Sequence, residues 1–249
     1  TPFGQRTLLI HSNFSKLTEI LAEARIPAVA GILLDLGLAT EQLKISGRGF
    51  SFGGDETLDM RLNPDAQIQT AADLLNSLPE AELNRIFWEW GEERYARRLA
   101  RRVVQVRRQT PITTTAQLVQ LIYQAVPGKT AYRRIHPATR VFQALRIAVN
   151  QELENLSAFI PQAISVLEPH GRLVIIAYHS LEDRIVKHAL IQAEKAGSMQ
   201  RVTKKPLVPR AEEIRHNPSS RSAKLRVALK VSQGDRTFEE EVPPSSLFN

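Results

Sequence analysis

The sequence predicts an α/β fold, a largely parallel sheet interrupted by a helical block, and three observations carry that prediction. Ile32-Leu33-Leu34 is a continuous apolar run that ends in Asp35 and Gly37, the pattern of a parallel strand covered on both faces. Arg172 to Tyr178 repeats the pattern and ends in His179-Ser180. Between the two runs, residues 70–123 carry a helical period. Open α/β sheets bind ligands beyond the carboxyl ends of their strands, so Asp35 and His179 fall on one candidate edge.

Composition narrows the function classes. The chain has 249 residues, 43% of them hydrophobic, enough for one large core or for a core with an inserted domain. The absence of cysteine removes disulfides, cysteine-ligated zinc and a cysteine nucleophile together. It fits a cytoplasmic protein. No apolar run reaches bilayer length, and the first residues lack the basic-then-apolar plan of a secretory signal. The formal net charge is +7, and much of it comes from arginine, whose planar fork suits phosphate. Nucleic acid is the favoured partner class.

The elements follow in order. Thr7 to Ile10 reads as a short strand. The polar turn His11 to Ser15 follows, with Ser15 as a helix cap and Leu17, Ile20 and Leu21 on one helical face. Pro27 separates that helix from the central strand, making a β-α-β unit with a right-handed crossover. Thr70, with Asp73 in the capping-box position, opens a helix. Pro79-Glu80 opens the next, Ala81 to Trp90. A third runs from Gly91 through Arg108, and Thr113-Thr114-Thr115 caps a fourth, Ala116 to Ala125. Pro127-Gly128-Lys129 is a turn. His136-Pro137-Ala138-Thr139-Arg140 leads into one long amphipathic helix through Leu156. Pro169-His170-Gly171 is a turn before the second strand, and Ser180 caps the helix after it. Residues 196–222 read as a long loop with a short strand at Leu207-Val208. Lys224 to Val231 alternates apolar and basic residues, as a half-exposed edge strand does. The tail from Ser232 is expected to lack fixed structure.

Two segments point to RNA. Gly47 to Gly54 holds four glycines in eight positions. It lacks the Lys-Ser/Thr ending of a nucleotide P-loop, and its Arg48, Phe50 and Phe52 suit a phosphate and a stacked base. Arg94, Arg97, Arg98, Arg101, Arg102, Arg107 and Arg108 put seven arginines into fifteen residues without a lysine. A solvated basic face is the ordinary reading of a charged helix; this density favours contact with an RNA backbone.

Taken together, Gly31 to Gly37, Gly47-Arg48-Gly49-Phe50-Ser51-Phe52, Leu58-Asp59-Met60-Arg61, Gly91-Glu92-Glu93-Arg94, His136 to Ile147 and His179-Ser180-Leu181-Glu182-Asp183-Arg184 resemble the RsmH (MraW) family, the bacterial small-subunit ribosomal RNA cytosine-N4 methyltransferases. The resemblance runs from about Arg6 to Val231. It implies a class I S-adenosylmethionine-dependent methyltransferase sheet, Rossmann-like, with an inserted all-helical domain. The implied domains are a first part of the core at 1–42, a helical RNA-recognition insertion at 43–135, a second part of the core at 136–231 and the tail at 232–249. It further implies S-adenosyl-L-methionine as cofactor, held by Phe14, Asp35 and Gln42, with Asp35, His179 and Ser180 at the reacting base and no metal. Arg48, Phe50, Phe52, Arg94, Arg97, Arg98, Arg101, Arg102, His136 and Arg140 would hold RNA, although a lone His136 is more often structural. The implied partner is small-subunit ribosomal RNA or the assembled subunit; a membrane is not implied, and a second copy of the chain remains open.

The family begins with a strand, a Gly-Arg-Gly-Gly-His loop and a second strand ending in an acidic residue. This chain starts at Thr1, about where the family's third strand begins, so an N-terminally truncated core is expected. Two functional readings follow: an N4-methyltransferase of ribosomal RNA, or a non-catalytic RNA-binding fragment of one.

Overall fold

The structure, a computed structural model, describes residues 7–37, 47–66, 69–126 and 136–232. Gln42, the turn at Pro127-Gly128-Lys129, the tail after Ser232 and the expected junctions at 42/43 and 135/136 lie outside the described residues or against them. The chain divides into two compact units, residues 1–37 with 153–249, and residues 38–152.

In chain order, a 3-10 turn at Phe14–Lys16 leads into α1 (Leu17–Glu23) and β1 (Val29–Asp35). The helical unit holds α2 (Ala71–Ser77), α3 (Glu80–Arg85), a π-helical turn (Ile86–Trp90), α4 (Ala96–Arg107), α5 (Thr115–Ala125) and α6 (Ala138–Asn150). The chain then returns through α7 (Glu152–Val166), β2 (Leu167–Ala177), α8 (Ser180–Lys195), β3 (Met199–Arg201), α9 (Ala211–His216) and β4 (Lys224–Lys230).

The sheet unit is mixed, in the order β1-β2-β4-β3. β1 and β2 pair in parallel, with Leu34 opposite Ile175 and Asp35 opposite Ile176. β4 runs antiparallel to β2 and β3. Leu156, Phe159 and Ile160 of α7 pack with Leu173 and Ile175 of β2 and with Val186 and Leu190 of α8. The expected turn at Pro169-His170-Gly171 is a bulge within β2, where the register with β1 shifts and His170 takes a φ of 62°. The side chain of Gln162 accepts from the Thr18 backbone N–H at 3.0 Å and donates to the Ser15 carbonyl at 2.6 Å, fastening the start of α1 to α7.

Several expectations are corrected here. Thr7–Ile10 forms no strand and has no ladder partner among the described residues; Leu9 is 84% exposed. β1 is therefore an edge of the described sheet rather than a strand covered on both faces. Its Ile32 and Leu34 pack inward, while Leu33 is 67% exposed. Asn13, not Ser15, caps the first turn, accepting from the Ser15 N–H at 2.9 Å. β4 is interior, flanked by β2 and β3, and its two-residue alternation faces opposite to expectation. Arg226 and Ala228 are its buried residues, because Arg226 finds a carboxylate inside, with its Nε 2.7 Å from Asp183 Oδ1.

The helical unit has its own core, built on Leu75, Leu83, Phe87, Leu99, Leu118, Ile122 and Val141. Thr70 with Asp73 and Thr114 with Gln117 form capping boxes that start α2 and α5. The long helix expected after His136 is two helices. Gln151 adopts φ 51°, closing α6 on the Ile147 carbonyl before α7 begins. This break marks where the chain leaves the helical unit, so α6 belongs with that unit and not with the second part of the core.

Candidate functional site

The carboxyl ends of β1 and β2 place two chemical groups side by side in the sheet unit. Asp35 is exposed, and Tyr178, the residue after β2, donates its hydroxyl to Asp35 Oδ1 at 2.9 Å. Burial, then the bond to Asp35 and its negative charge, push the Tyr178 phenol up to about 12. The phenol therefore stays a donor across the ordinary pH range and leaves the other Asp35 oxygen to face a ligand.

Glu182 organises the same edge from beneath. It is 4% exposed, and its Oε2 accepts from the backbone N–H groups of Tyr178 at 2.8 Å and His179 at 3.3 Å. The His179 ring folds back over the first turn of α8. Its Nδ1 faces the Glu182 N–H at 3.4 Å, and its Nε2 lies 3.2 Å from Glu182 Oε1. His179 is thus the N-cap of α8, with Glu182 as the reciprocal partner. Ser180, expected as the cap, is the first residue of the helix. The ring is engaged with its own helix through Nδ1, while its buried Nε2 makes no hydrogen bond among the described residues. The adjoining Asp183 accepts from Arg226 at 2.7 Å and Lys224 at 3.2 Å. Burial alone would raise its carboxyl, but the two cationic donors outweigh it and hold it below the usual carboxylate range.

Phe14 is half-buried and meets Phe159 edge-on, ring centroids 5.5 Å apart. Tyr178 and Glu182 were not legible as functional in the composition of the second strand. The spacing His179-x-x-Glu182 before an apolar helix is a capping-box pattern that could have found Glu182.

The helical unit sorts the expected RNA residues into two sets. Phe50 is buried at 8% exposure, within the core of the unit. Arg48 lies over the Phe50 ring at 5.6 Å and donates to the Arg61 carbonyl at 2.7 Å, pinning the loop. Gly49 explains the glycine content there: its φ is 77°, and a Cβ would stand 2.4 Å from the Thr57 carbonyl oxygen. Arg140 donates to the Glu92 carbonyl at 3.1 Å, and Gly91 lies so close to the Phe87 and Arg140 carbonyls that a Cβ would meet them at 2.6 and 2.8 Å. Arg107 is spent on the Leu75 carbonyl. These residues build the unit.

Arg94, Arg97, Arg98 and Arg101 are exposed, and Arg102 is half-buried with its guanidinium on Gln124 at 2.9 Å. Phe52 stacks on His136 at 4.4 Å between centroids and 12° between planes. His136 Nε2 lies 2.8 Å from the Tyr123 hydroxyl. Of the expected RNA residues, Arg94, Arg97, Arg98 and Arg101 are those the fold leaves exposed.

A sequence profile described as the MraW methylase family matches residues 1–231. The chain belongs to the MraW methylase family. Its fold is accordingly that of a class I S-adenosylmethionine-dependent methyltransferase. The chain is similar to the ribosomal RNA small subunit methyltransferase H of Desulfosudis oleivorans, 51% identical over 92% of this chain and 78% of that protein. The protein of the same name from Syntrophotalea carbinolica is 48% identical over 92% of this chain and 77% of its own length. That from Carboxydothermus hydrogenoformans is 46% identical over 93% and 78%. No helix among the described residues is long and apolar enough to cross a membrane.

Proposed function

We propose that this MraW methylase transfers a methyl group from S-adenosyl-L-methionine to the exocyclic N4 of a cytidine in the decoding region of small-subunit ribosomal RNA. The observation that carries the reading is the exposed Asp35 carboxylate at the end of β1, oriented by the Tyr178 hydroxyl at 2.9 Å. The relatives' shared name supports the substrate class.

The residues present fit the cofactor's chemistry in part. Asp35 offers a fixed acceptor for hydroxyl or amino groups, and Phe14 an aromatic surface near the amino end of α1. Bound S-adenosylmethionine supplies an electrophilic methyl group on a sulfonium. The chain's own residues must do the rest. A cytosine amine is a weak nucleophile because its lone pair is delocalised into the ring. Asp35, with one oxygen occupied by Tyr178, accepts a hydrogen bond from N4 and sharpens that lone pair. The capping of α8 by His179 and Glu182 holds Tyr178 where it reaches Asp35. The exposed arginines hold the RNA backbone, and the target base is taken out of its stack before transfer.

Calorimetric titration of S-adenosylmethionine into the chain, followed by methylation of unmodified small subunits, tests this. Micromolar binding and transfer to a cytidine N4 are the expected results. A folded chain that binds RNA but neither binds the cofactor nor transfers methyl would overturn the reading in favour of a non-catalytic RNA-binding protein.

A further inference from the structure

The helical unit contains a hollow that the methyl-transfer chemistry does not use. Its volume is about 610 Å³, and Phe52, Asp55, Val119, Gln120, Tyr123 and Gln124 line it. A second hollow of about 220 Å³ shares Gln120 and Gln124 and reaches Arg102. The two hollows meet at Gln120 and Gln124 of α5, and this trough is aromatic and apolar on one side and carries Arg102 on the other.

Hydrogen-bond logic fixes the polarity of its rim. A guanidinium only donates, so the Gln124 atom 2.9 Å from Arg102 is the carbonyl oxygen and the amide NH₂ points away from it. His136 Nδ1 accepts from the Ala138 backbone N–H at 3.2 Å, which places the ring proton on Nε2. Nε2–H then donates to the Tyr123 oxygen at 2.8 Å. The Tyr123 hydroxyl hydrogen is left free to donate, and the side chain is 45% exposed. The aromatic end therefore offers donors from Tyr123 and Gln124 and an acceptor from Asp55. Every nucleobase edge presents the complementary acceptors, and most present an amino donor. The Asp55 carboxylate repels a phosphate from this end. Arg102 lines the other end, with Arg98 one helical turn before it on α4 and Arg101 beside it, 3.9 Å from Glu80, and this end attracts phosphate.

We propose that this trough binds one unpaired nucleobase of a single-stranded RNA between Phe52 and Tyr123, with the adjoining backbone on Arg98, Arg101 and Arg102. The site deepens, and rests on, the reading of the chain as an RNA-modifying enzyme: it grips a nucleotide other than the one being methylated. Stacking platforms of this type are tolerant of base identity and require an unpaired strand, because a duplex hides the base faces.

Fluorescence anisotropy with the full chain tests it, using a labelled decamer of cytidylate and a ten-base-pair RNA duplex. Tyr123→Leu removes the ring and keeps apolar bulk; it is expected to weaken the decamer about tenfold, with an unchanged salt slope and unchanged duplex binding. Tyr123→Phe keeps the ring and is expected to give a smaller loss. Joint replacement of Arg98, Arg101 and Arg102 by Ala is expected to weaken both RNAs and flatten the salt slope. Tyr123→Leu binding the decamer as the parent does, or losing decamer and duplex equally, would overturn the trough alone. Free cytidine monophosphate binding as tightly as the decamer would overturn assignment to a strand. A parent chain that binds neither RNA would overturn the trough and the RNA-modifying reading together.

Discussion

The two units use their motif residues in opposite ways. In the helical unit, the stretches that carry the family resemblance are turned inward. Met60 is fully buried at φ 59°, Arg61 grips Asp59 through two nitrogens at 2.7 and 2.8 Å, and Asn150 bridges the Met60 carbonyl and the Leu62 N–H. Those residues are architecture, whereas Arg94 and Phe52, from the same motif stretches, stay at or near the surface. In the sheet unit, the motifs sit at strand ends, where Asp35 faces outward and Tyr178, His179 and Glu182 hold it in place. A motif thus locates a segment that matters; only burial and hydrogen-bond commitment say whether it builds the protein or meets the ligand.

That contrast can be broken at several points. The largest effect is expected in the sheet unit from Asp183→Ala, which strands Arg226, 5% exposed, without its carboxylate. Loss of one partner of a buried pair costs about 3–5 kcal/mol, and chemical denaturation should report a fall of that order. Amide exchange in α2 to α5 should be unaffected, because the two cores are separate. Next, Asp35→Ala should lower methyl transfer at least about a hundredfold, or about 2.7 kcal/mol, while RNA affinity holds. Equal transfer by this variant would show that the strand-end carboxylate is not the working group.

Smaller effects sharpen the contrast. Replacing Arg97, Arg98 and Arg101 together by Ala should reduce the slope of log K against log salt by up to about 0.7 per lost phosphate contact on a single strand, with thermal stability nearly unchanged. An unaltered slope would move RNA binding off α4. The smallest concerns Tyr178. Its folded phenol is raised to about 12 from an ordinary value near 10, so its stabilising contribution is complete below pH of about 10 and disappears as pH climbs through about 12. Ultraviolet titration should show one phenolate forming late, and Tyr178→Phe should remove that phase. In acid the sign reverses for Asp183. Its lowered folded value gives stability that is present above about pH 4 and is lost as the pH falls through that lower value.

Much of this was legible in the residues. The two apolar runs, the helical block and the capping signals at Thr70 and Thr114 follow from periodicity and local hydrogen-bond chemistry, which act over a few residues. What escaped was set at long range. The bond between Asp35 and Tyr178 joins positions 143 apart. Periodicity found the alternation in β4 but could not foresee that Asp183 would draw Arg226 inward. Phe50 and Phe52 are two residues apart and equally aromatic, yet one is core and the other is stacked on His136, a distinction made by tertiary packing.

The position of β1 in the chain has a consequence for the order of assembly. During synthesis β1 emerges long before β2, its only ladder partner among the described residues, and every residue of the helical unit is made in between. Helical contacts are local and form quickly, whereas pairing across so long an interval must wait for its second half. The helical unit can therefore close while Ile32 and Leu34 still lack their partner strand. A nascent chain halted before Leu167 holds a finished helical unit and an apolar strand in need of protection. Chaperone contact should fall in that interval.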